Sequence, residues 1–415
     1  MKKEILANGV TIIYEGDNQL EFTNIGVFVK VGSKNESIDE NGIAHYIEHL
    51  LFRTRDNGNY ITDYFNEIGA KFGGFTGKEY TSFYLKTLSE KAVICAEKLF
   101  EMIFNISTVS DNDFLIEKGI INQELSMYYN NPLENCKSTA IELSFGAHSL
   151  TREIMGTGEN LEKFTRENII DFHNRYYYPE NIVVSITGKA TDELIEKIKN
   201  TFGLLKRYNR YTSNNKIPLL SFSGGIKHIM SNSEQAHICF AFNMGVLTQR
   251  EYFIIYIINK ILGSANKRSH LFQTIREKLG LVYSISSQPI IYNEGSMLLI
   301  YAACSDTNLD PLLENTQKVL REFYLNGIDY NDLRFSKDQF ASEMIFGLES
   351  SMDKMFYFGT NTILGKKIYS IEESRELLES ITIDDVNNKI TEIFNTEYSL
   401  SVFSNSKPEK YLHPM

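Results

Sequence analysis

Short apolar runs rich in β-branched and aromatic residues at 9–15 (Gly-Val-Thr-Ile-Ile-Tyr-Glu) and 23–32 (Thr-Asn-Ile-Gly-Val-Phe-Val-Lys-Val-Gly) predict two strands. A polar loop at 33–41 then gives way to a segment with helical spacing from Gly42 to Phe52. A second helix is predicted over about 60–69, with Tyr64, Phe65 and Ile68 on one face and Gly69 at its end. Residues 71–76 and 80–88 read as a hairpin of strands, followed by a helix over about 90–105. Ser110-Asp111-Asn112-Asp113 is a good helix start, and that helix runs to about 130, before Asn131-Pro132. A helical stretch at 133–148, a helix from Thr165 through Tyr176, a strand at 181–187 and a helix at 191–202 complete the first half.

Residues 206–220 are polar without an apolar period and read as a linker between a domain 1–205 and a domain 221–415. The second half then repeats the order of the first. Strands at 226–231 and 235–243 precede helices at 249–262 and 268–278. Strands at 281–288 and 294–303 follow, then helices at 308–325, 330–350 and 383–394 and a strand at 397–403. This is the pattern of a diverged duplication of roughly 200 residues per copy. The predicted fold is α+β: two homologous domains, each a mainly antiparallel sheet covered by helices.

The segment with the most chemistry is Gly42-Ile43-Ala44-His45-Tyr46-Ile47-Glu48-His49. On a helix, His45 and His49 lie one turn apart on one face, close enough for both imidazoles to reach one metal ion. Glu48 is then placed to reach a water on that metal without being a ligand. This H-x-x-E-H order is the reverse of the H-E-x-x-H zinc helix. Further on, Glu117 and Glu124 fall seven apart in the same stripe as Ile120, Ile121, Leu125 and Tyr128. A carboxylate among core positions is costly unless it is paired or bound to a cation. Glu124 is therefore the expected third metal ligand, and Glu117 a supporting or alternative carboxylate. Two core histidines and a surface glutamate would also fit the motif, but the second copy argues against that. Its equivalent helix reads Glu251-Tyr252-Phe253-Ile254-Ile255-Tyr256-Ile257-Ile258-Asn259-Lys260. The architecture does not need His and Glu at that place.

Composition narrows the class. The chain is 42% hydrophobic and 23% charged, with a net charge of −11 and no dense basic block, which argues against a nucleic-acid or anionic-membrane surface. No apolar run approaches a membrane span, and the Asn8-Gly9 turn and early Glu4 interrupt any signal region. Cys95, Cys136, Cys239 and Cys304 stand alone without metal-binding or redox spacing and read as small buried residues. A cytoplasmic protein is expected.

With these residues in view, the chain resembles the pitrilysin/insulinase family of zinc metallopeptidases, and most of all its short bacterial two-domain members. The resemblance covers nearly the whole chain. It rests on Asn8-Gly9-Val10, on Gly42 through His49, on Phe75-Thr76-Gly77-Lys78-Glu79-Tyr80-Thr81, on Glu117 through Pro132, and on Ile275-Arg276-Glu277-Lys278-Leu279-Gly280-Leu281-Val282-Tyr283. It implies zinc as cofactor, with His45 and His49 as ligands and Glu48 as general base. The family's third ligand lies about 75 residues after the second histidine, and Glu124 matches (124 − 49 = 75). Glu117 matches a helper glutamate. Arg276 and Tyr283 match a substrate-holding pair in the second domain. The resemblance also implies a clamshell enclosing peptide substrates, and a homodimer or a heterodimer with a related chain.

Three departures touch substrate handling. Relatives usually carry Asn-Ala on the strand that binds substrate, where this chain has Gly73-Gly74 before Phe75-Thr76. They usually have Lys-Gly-Thr where this chain has Arg53-Thr54-Arg55, and Arg where it has His270. The expected activity is zinc-dependent endopeptidase cleavage of short or unfolded peptides. The alternatives are a non-catalytic or partner-dependent subunit of a processing peptidase, and a dedicated processor of one leader peptide.

Overall fold

The computed structural model describes residues 1–206, 217–264 and 266–408. Most of the expected linker, 207–216, lies outside the described residues. The first sheet has six strands: β1 (Lys2–Ile5), β2 (Thr11–Gly16), β3 (Phe22–Val29), β6 (Lys71–Thr76), β7 (Thr81–Leu88) and β8 (Ile182–Gly188), in the order β1-β2-β8-β3-β7-β6. A two-residue hairpin, β4 (Arg55–Asp56) and β5 (Asn59–Tyr60), stands apart from it. The second sheet holds β9 (Gly225–Met230), β10 (Ala236–Gly245), β11 (Val282–Tyr292), β12 (Gly295–Cys304) and β13 (Tyr398–Ser404), in the order β11-β12-β10-β13-β9.

Read backwards, the second order is β9-β13-β10-β12-β11, which matches β2-β8-β3-β7-β6 strand for strand. The one parallel pair in each sheet also matches: β2 with β8, and β9 with β13. The duplication read from the sequence is thus present in the topology, and both sheets are mainly antiparallel as expected. Strand β1 and the helices Ser351–Ile363 and Ile371–Glu379 were not anticipated. The helix expected over 330–350 stops at Gly347, because Ser350 starts a new one by accepting hydrogen bonds from the amides of Met352 and Asp353.

The compact units do not follow a simple cut of the chain at 206–220. One unit comprises Met1–Ser126, Arg152–Ile217 and Phe346–Ile368; the other comprises Met127–Thr151, Pro218–Ile345 and Tyr369–Met415. The reason lies in two helices. Helix Pro132–Phe145 buries Cys136, Ala140 and Phe145 against Cys239, Ala241, Met297, Leu299 and Phe403 of the second sheet. Helix Ser351–Ile363 buries Phe358 and Ile363 against Ile13, Phe28 and Val183 of the first. Gly359 permits this close seat, since a Cβ there would stand 2.0 Å from the Phe28 ring. Neither partner choice can be read from an apolar stripe alone.

In the first unit, α1 (Ile43–Leu51), α2 (Ile61–Glu67), α3 (Ala92–Phe104) and α4 (Asp111–Tyr129) surround the face of the sheet that carries Ile25, Val27, Val29, Phe83 and Leu85. Ile47, Leu50 and Leu51 of α1 are fully buried there. At about 1.5–3 kcal/mol for each such side chain, this contact fixes the position of α1. All four cysteines are buried and free, as expected. No helix among the described residues is long and apolar enough to cross a membrane.

Candidate metal centre

Helix α1 begins after Gly42, whose φ of +103° is a conformation that favours glycine. Its first amides are capped from a distance by Glu36. One carboxylate oxygen of Glu36 accepts from the Ala44 amide at 2.9 Å, and the other accepts from the Gly42 amide at 2.9 Å and Asn41 Nδ2 at 2.8 Å. Burial pushes the Glu36 carboxyl up to about 7 despite these hydrogen bonds. The hydroxyl of Tyr46 donates to the Phe114 carbonyl at 2.6 Å and ties α1 to α4.

With the apolar face of α1 committed to the core, His45, Glu48 and His49 come together on its other side. One donor atom from each of His45, His49 and Glu124 lies within 4.8 Å of the others. Oε2 of Glu124 is 3.8 Å from His45 Nε2 and 3.6 Å from His49 Nε2. A tetrahedral zinc ion with bonds of ~2.0–2.2 Å holds its donors ~3.4 Å apart, and the two Glu124–histidine separations are within a few tenths of an ångström of that. Burial and the neighbouring His49 push His45 down to about 4, which leaves it neutral at pH 7 with a lone pair to give. Its buried Nδ1 has no hydrogen-bond partner among the described residues. Burial disfavours a charged His49, but the carboxylates of Glu117, Glu124 and Glu48 outweigh it and raise its pKa. A site that gathers three carboxylates around two imidazoles suits a divalent cation.

Glu117 and Glu124 take different positions. Glu117 is buried and does not point at the donor cluster. Its Oε2 lies 2.9 Å from His49 Nδ1, and its Oε1 accepts from Arg53 Nε at 2.6 Å. Burial works against its ionisation, yet the bonds from His49 and Arg53 outweigh this and hold its carboxyl below the ordinary range. Glu48 is also buried. Its Oε2 accepts from the Thr76 hydroxyl at 2.9 Å, and its Oε1 faces Gly74, where a Cβ would stand 3.2 Å away. Burial raises the Glu48 pKa, and the Thr76 hydrogen bond partly offsets this.

Strand β6 is the outermost strand of its sheet. Gly74 and Thr76 pair with Phe83 and Thr81 and share their face, the face of α1 and Glu48. Gly73 and Phe75 pair with Tyr84 and Ser82 and look to the opposite side. The four residues therefore form one edge but two surfaces, and the Thr76 side chain is occupied by Glu48. In the second unit, Arg276 and Tyr283 stand side by side, with the guanidinium carbon 5.4 Å from the phenol ring centre. Arg276 sits on the π-wound segment Phe272–Lys278. Tyr283 sits where the β11–β12 register shifts, and it is 82% exposed. A bulge of this kind re-aims one side chain out of a strand.

Neither Glu36 nor Arg53 carries a signal in the sequence that ties it to the centre. Glu36 lies six residues before Gly42 in a polar loop, and no helical period links it to α1. Arg53 stands out in the sequence only as a departure from relatives, and its partner is 64 residues away.

The geometry defines an α+β protein of two homologous sheets, in which the helices over the first bring the two histidines of an H-x-x-E-H helix together with Glu124 of α4. Comparison with known proteins agrees. Residues 11–158 match the family described as insulinase (peptidase family M16), and residues 163–340 match the peptidase M16 inactive domain. The uncharacterized zinc protease YmxG of Bacillus subtilis (strain 168) is 30% identical over 98% of each chain. The uncharacterized zinc protease ML0855 of Mycobacterium leprae is 26% identical over 98% of this chain and 92% of its own. Among solved structures, a protease from Helicobacter pylori superposes with a TM-score of 0.87 at 19% identity, covering 97% of this chain and 99% of its own. A peptidase M16 inactive domain from Pseudomonas fluorescens does so with a TM-score of 0.89 at 19% identity, covering 99% of both. The chain belongs to peptidase family M16, the insulinase family.

Proposed function

We propose that this chain is a zinc-dependent endopeptidase acting on short or unfolded peptides. The observation that carries the reading is the convergence of His45, His49 and Glu124 within 4.8 Å, beside a buried carboxylate, Glu48, that is not one of the three. His45, His49 and Glu124 would hold the ion, which when bound would supply Lewis acidity toward a peptide carbonyl and toward water. Glu48 is the general base. With Oε2 held by Thr76, its Oε1 takes a proton from water and returns it to the leaving amine. Burial raises its pKa toward the working pH, which suits that exchange. Glu117 orients His49 by accepting from Nδ1–H.

The substrate adds as an extended strand to the outer edge of β6. Gly73 and Gly74 leave that edge bare of side chains, and Gly74 lets the backbone approach Glu48 closely. A folded domain offers no free strand for such pairing, whereas a short or unfolded peptide does. Arg276 and Tyr283 are a substrate-holding pair: a guanidinium suits a carboxylate or carbonyl oxygen, and a phenol can donate to a developing oxyanion.

The test is a mass-spectrometric digest of a diverse peptide mixture by the zinc-loaded chain and its Glu48→Gln variant. Cleavage by the wild type alone supports the reading. Equal cleavage by both removes Glu48 from the mechanism. No cleavage by either, with zinc bound, refutes a self-sufficient peptidase of broad range.

A further inference from the structure

After α1, the chain turns back along the first turns of α4 and places two arginines against two acids. Arg55 Nη2 donates to Asp113 Oδ2 at 3.1 Å, and Arg53 Nε donates to Glu117 Oε1 at 2.6 Å. Asp113 and Glu117 are four apart, and so stand one above the other on α4. Tyr60 ties the rungs together: its hydroxyl donates to Asp113 Oδ1 at 2.6 Å, and its ring centre lies 4.2 Å from the Arg55 guanidinium and 5.7 Å from that of Arg53. Both acids are buried. The rungs differ in what lies beyond them. The Asp113 rung ends on Ser110 and Tyr60, with no hydrogen bond to His45, His49 or Glu124 among the described residues, while the Glu117 rung continues to His49 Nδ1 at 2.9 Å.

Each oxygen of Glu117 thus has one partner, His49 on one side and Arg53 on the other. Without Arg53, Glu117 would keep a free anionic oxygen one imidazole away from a divalent ion. It lies two turns before Glu124 on the same helix, so it could swing toward the ion and compete as a ligand. We propose that Arg53 is a positioning residue: by occupying Glu117 Oε1, it holds Glu117 on the Nδ1–H of His49, turns Nε2 toward the metal cluster, and keeps Glu117 out of coordination. Arg53 thereby decides which of two acids seven residues apart is the ligand. This rests on the reading of His45, His49 and Glu124 as the metal-holding set.

The experiment measures zinc affinity by chelator competition, and the visible spectrum of the cobalt(II)-loaded full chain, in the wild type and in Arg53→Met, Arg53→Lys and Arg55→Met. A lost supporting contact at a metal-bound histidine weakens binding about 10–100-fold, and that range is expected for Arg53→Met. Its cobalt spectrum should fall in intensity as Glu117 enters and the coordination number rises. Arg53→Lys, which restores one charged donor, should bring back both the affinity and the spectrum. Arg55→Met breaks the neighbouring rung and should lower thermal stability while leaving the metal readouts at wild-type values. Arg53→Gln carries the same expectation as Arg53→Met should the latter fail to fold. Wild-type affinity and spectrum in the neutral Arg53 variants would overturn the proposal. So would Arg55→Met disturbing the metal as much as Arg53→Met, because the clasp would then be merely structural. A wild-type chain that takes up no cobalt would instead refute the metal reading itself.

Discussion

Glu36 is buried under the N-terminus of the helix that carries His45, Glu48 and His49, and its carboxyl is pushed up to about 7 from an ordinary 4.5. A carboxyl raised on folding stabilises the protein while it stays protonated. That contribution is fully present below about pH 4.5 and is lost as the pH rises to about 7, because across that interval the unfolded chain has shed the proton that the folded chain still holds, so rising pH favours unfolding. The difference of about 2.5 pH units corresponds to roughly 3 kcal/mol, at 1.36 kcal/mol per unit. The ionised form is not abandoned: it accepts from Gly42, Ala44 and Asn41, and Arg152 lies close enough to favour it. Burial still outweighs these. The assay is urea unfolding of the wild type and Glu36→Gln followed by circular dichroism, at intervals from pH 4 to 8. Hydrogen exchange of peptides spanning 42–52 locates the change. Other groups titrate in both proteins, so the informative quantity is the difference between them. Relative to Glu36→Gln, the wild type should lose roughly 3 kcal/mol between pH 4.5 and 7.5. A difference that stays flat across that interval would place the Glu36 carboxyl at an ordinary pKa and remove burial as the dominant influence on it.

Three more outcomes are expected. Glu48→Gln should retain one zinc per chain by elemental analysis and lose turnover by about 10²–10⁴-fold, the usual worth of a general base. His49→Ala should lose stoichiometric zinc at concentrations that saturate the wild type; full retention would remove His49 from the ligand set. Gly359→Ala should destabilise the first unit by about 1–3 kcal/mol in thermal unfolding, because the added methyl meets the fully buried Phe28 ring and cannot be relieved by a surface shift. A gain in stability would show that helix propensity outweighs the clash.

Much of the centre is legible in the chain because it is local or periodic. His45, Glu48 and His49 are fixed relative to one another by helical geometry alone. Glu117 and Glu124 fall in one apolar stripe, but only Glu117 is buried as a core position would be, while the Glu124 side chain stays 40% exposed. Their division of labour is not legible. Spacing puts both on one face of α4, and only the position of Arg53 shows that Glu117 turns back to His49 while Glu124 faces the cluster. Thr76 illustrates the same limit. The family resemblance places it on a substrate-binding strand, but the packing of β6 against α1 gives its hydroxyl to Glu48.

The repeated strand and helix order, the two-sheet α+β class and the local H-x-x-E-H motif are all readable along the chain. Each depends on periodicity or on spacing within one element. Folding alone settles which sheet Pro132–Phe145 and Ser351–Ile363 cover, how Glu36 caps α1, and which arginine answers which acid on α4. An apolar stripe states that a face must be buried but not against what, and a buried charge states that it needs a partner but not from where. Those choices are made by shape and charge between segments far apart in the chain, where no period connects them.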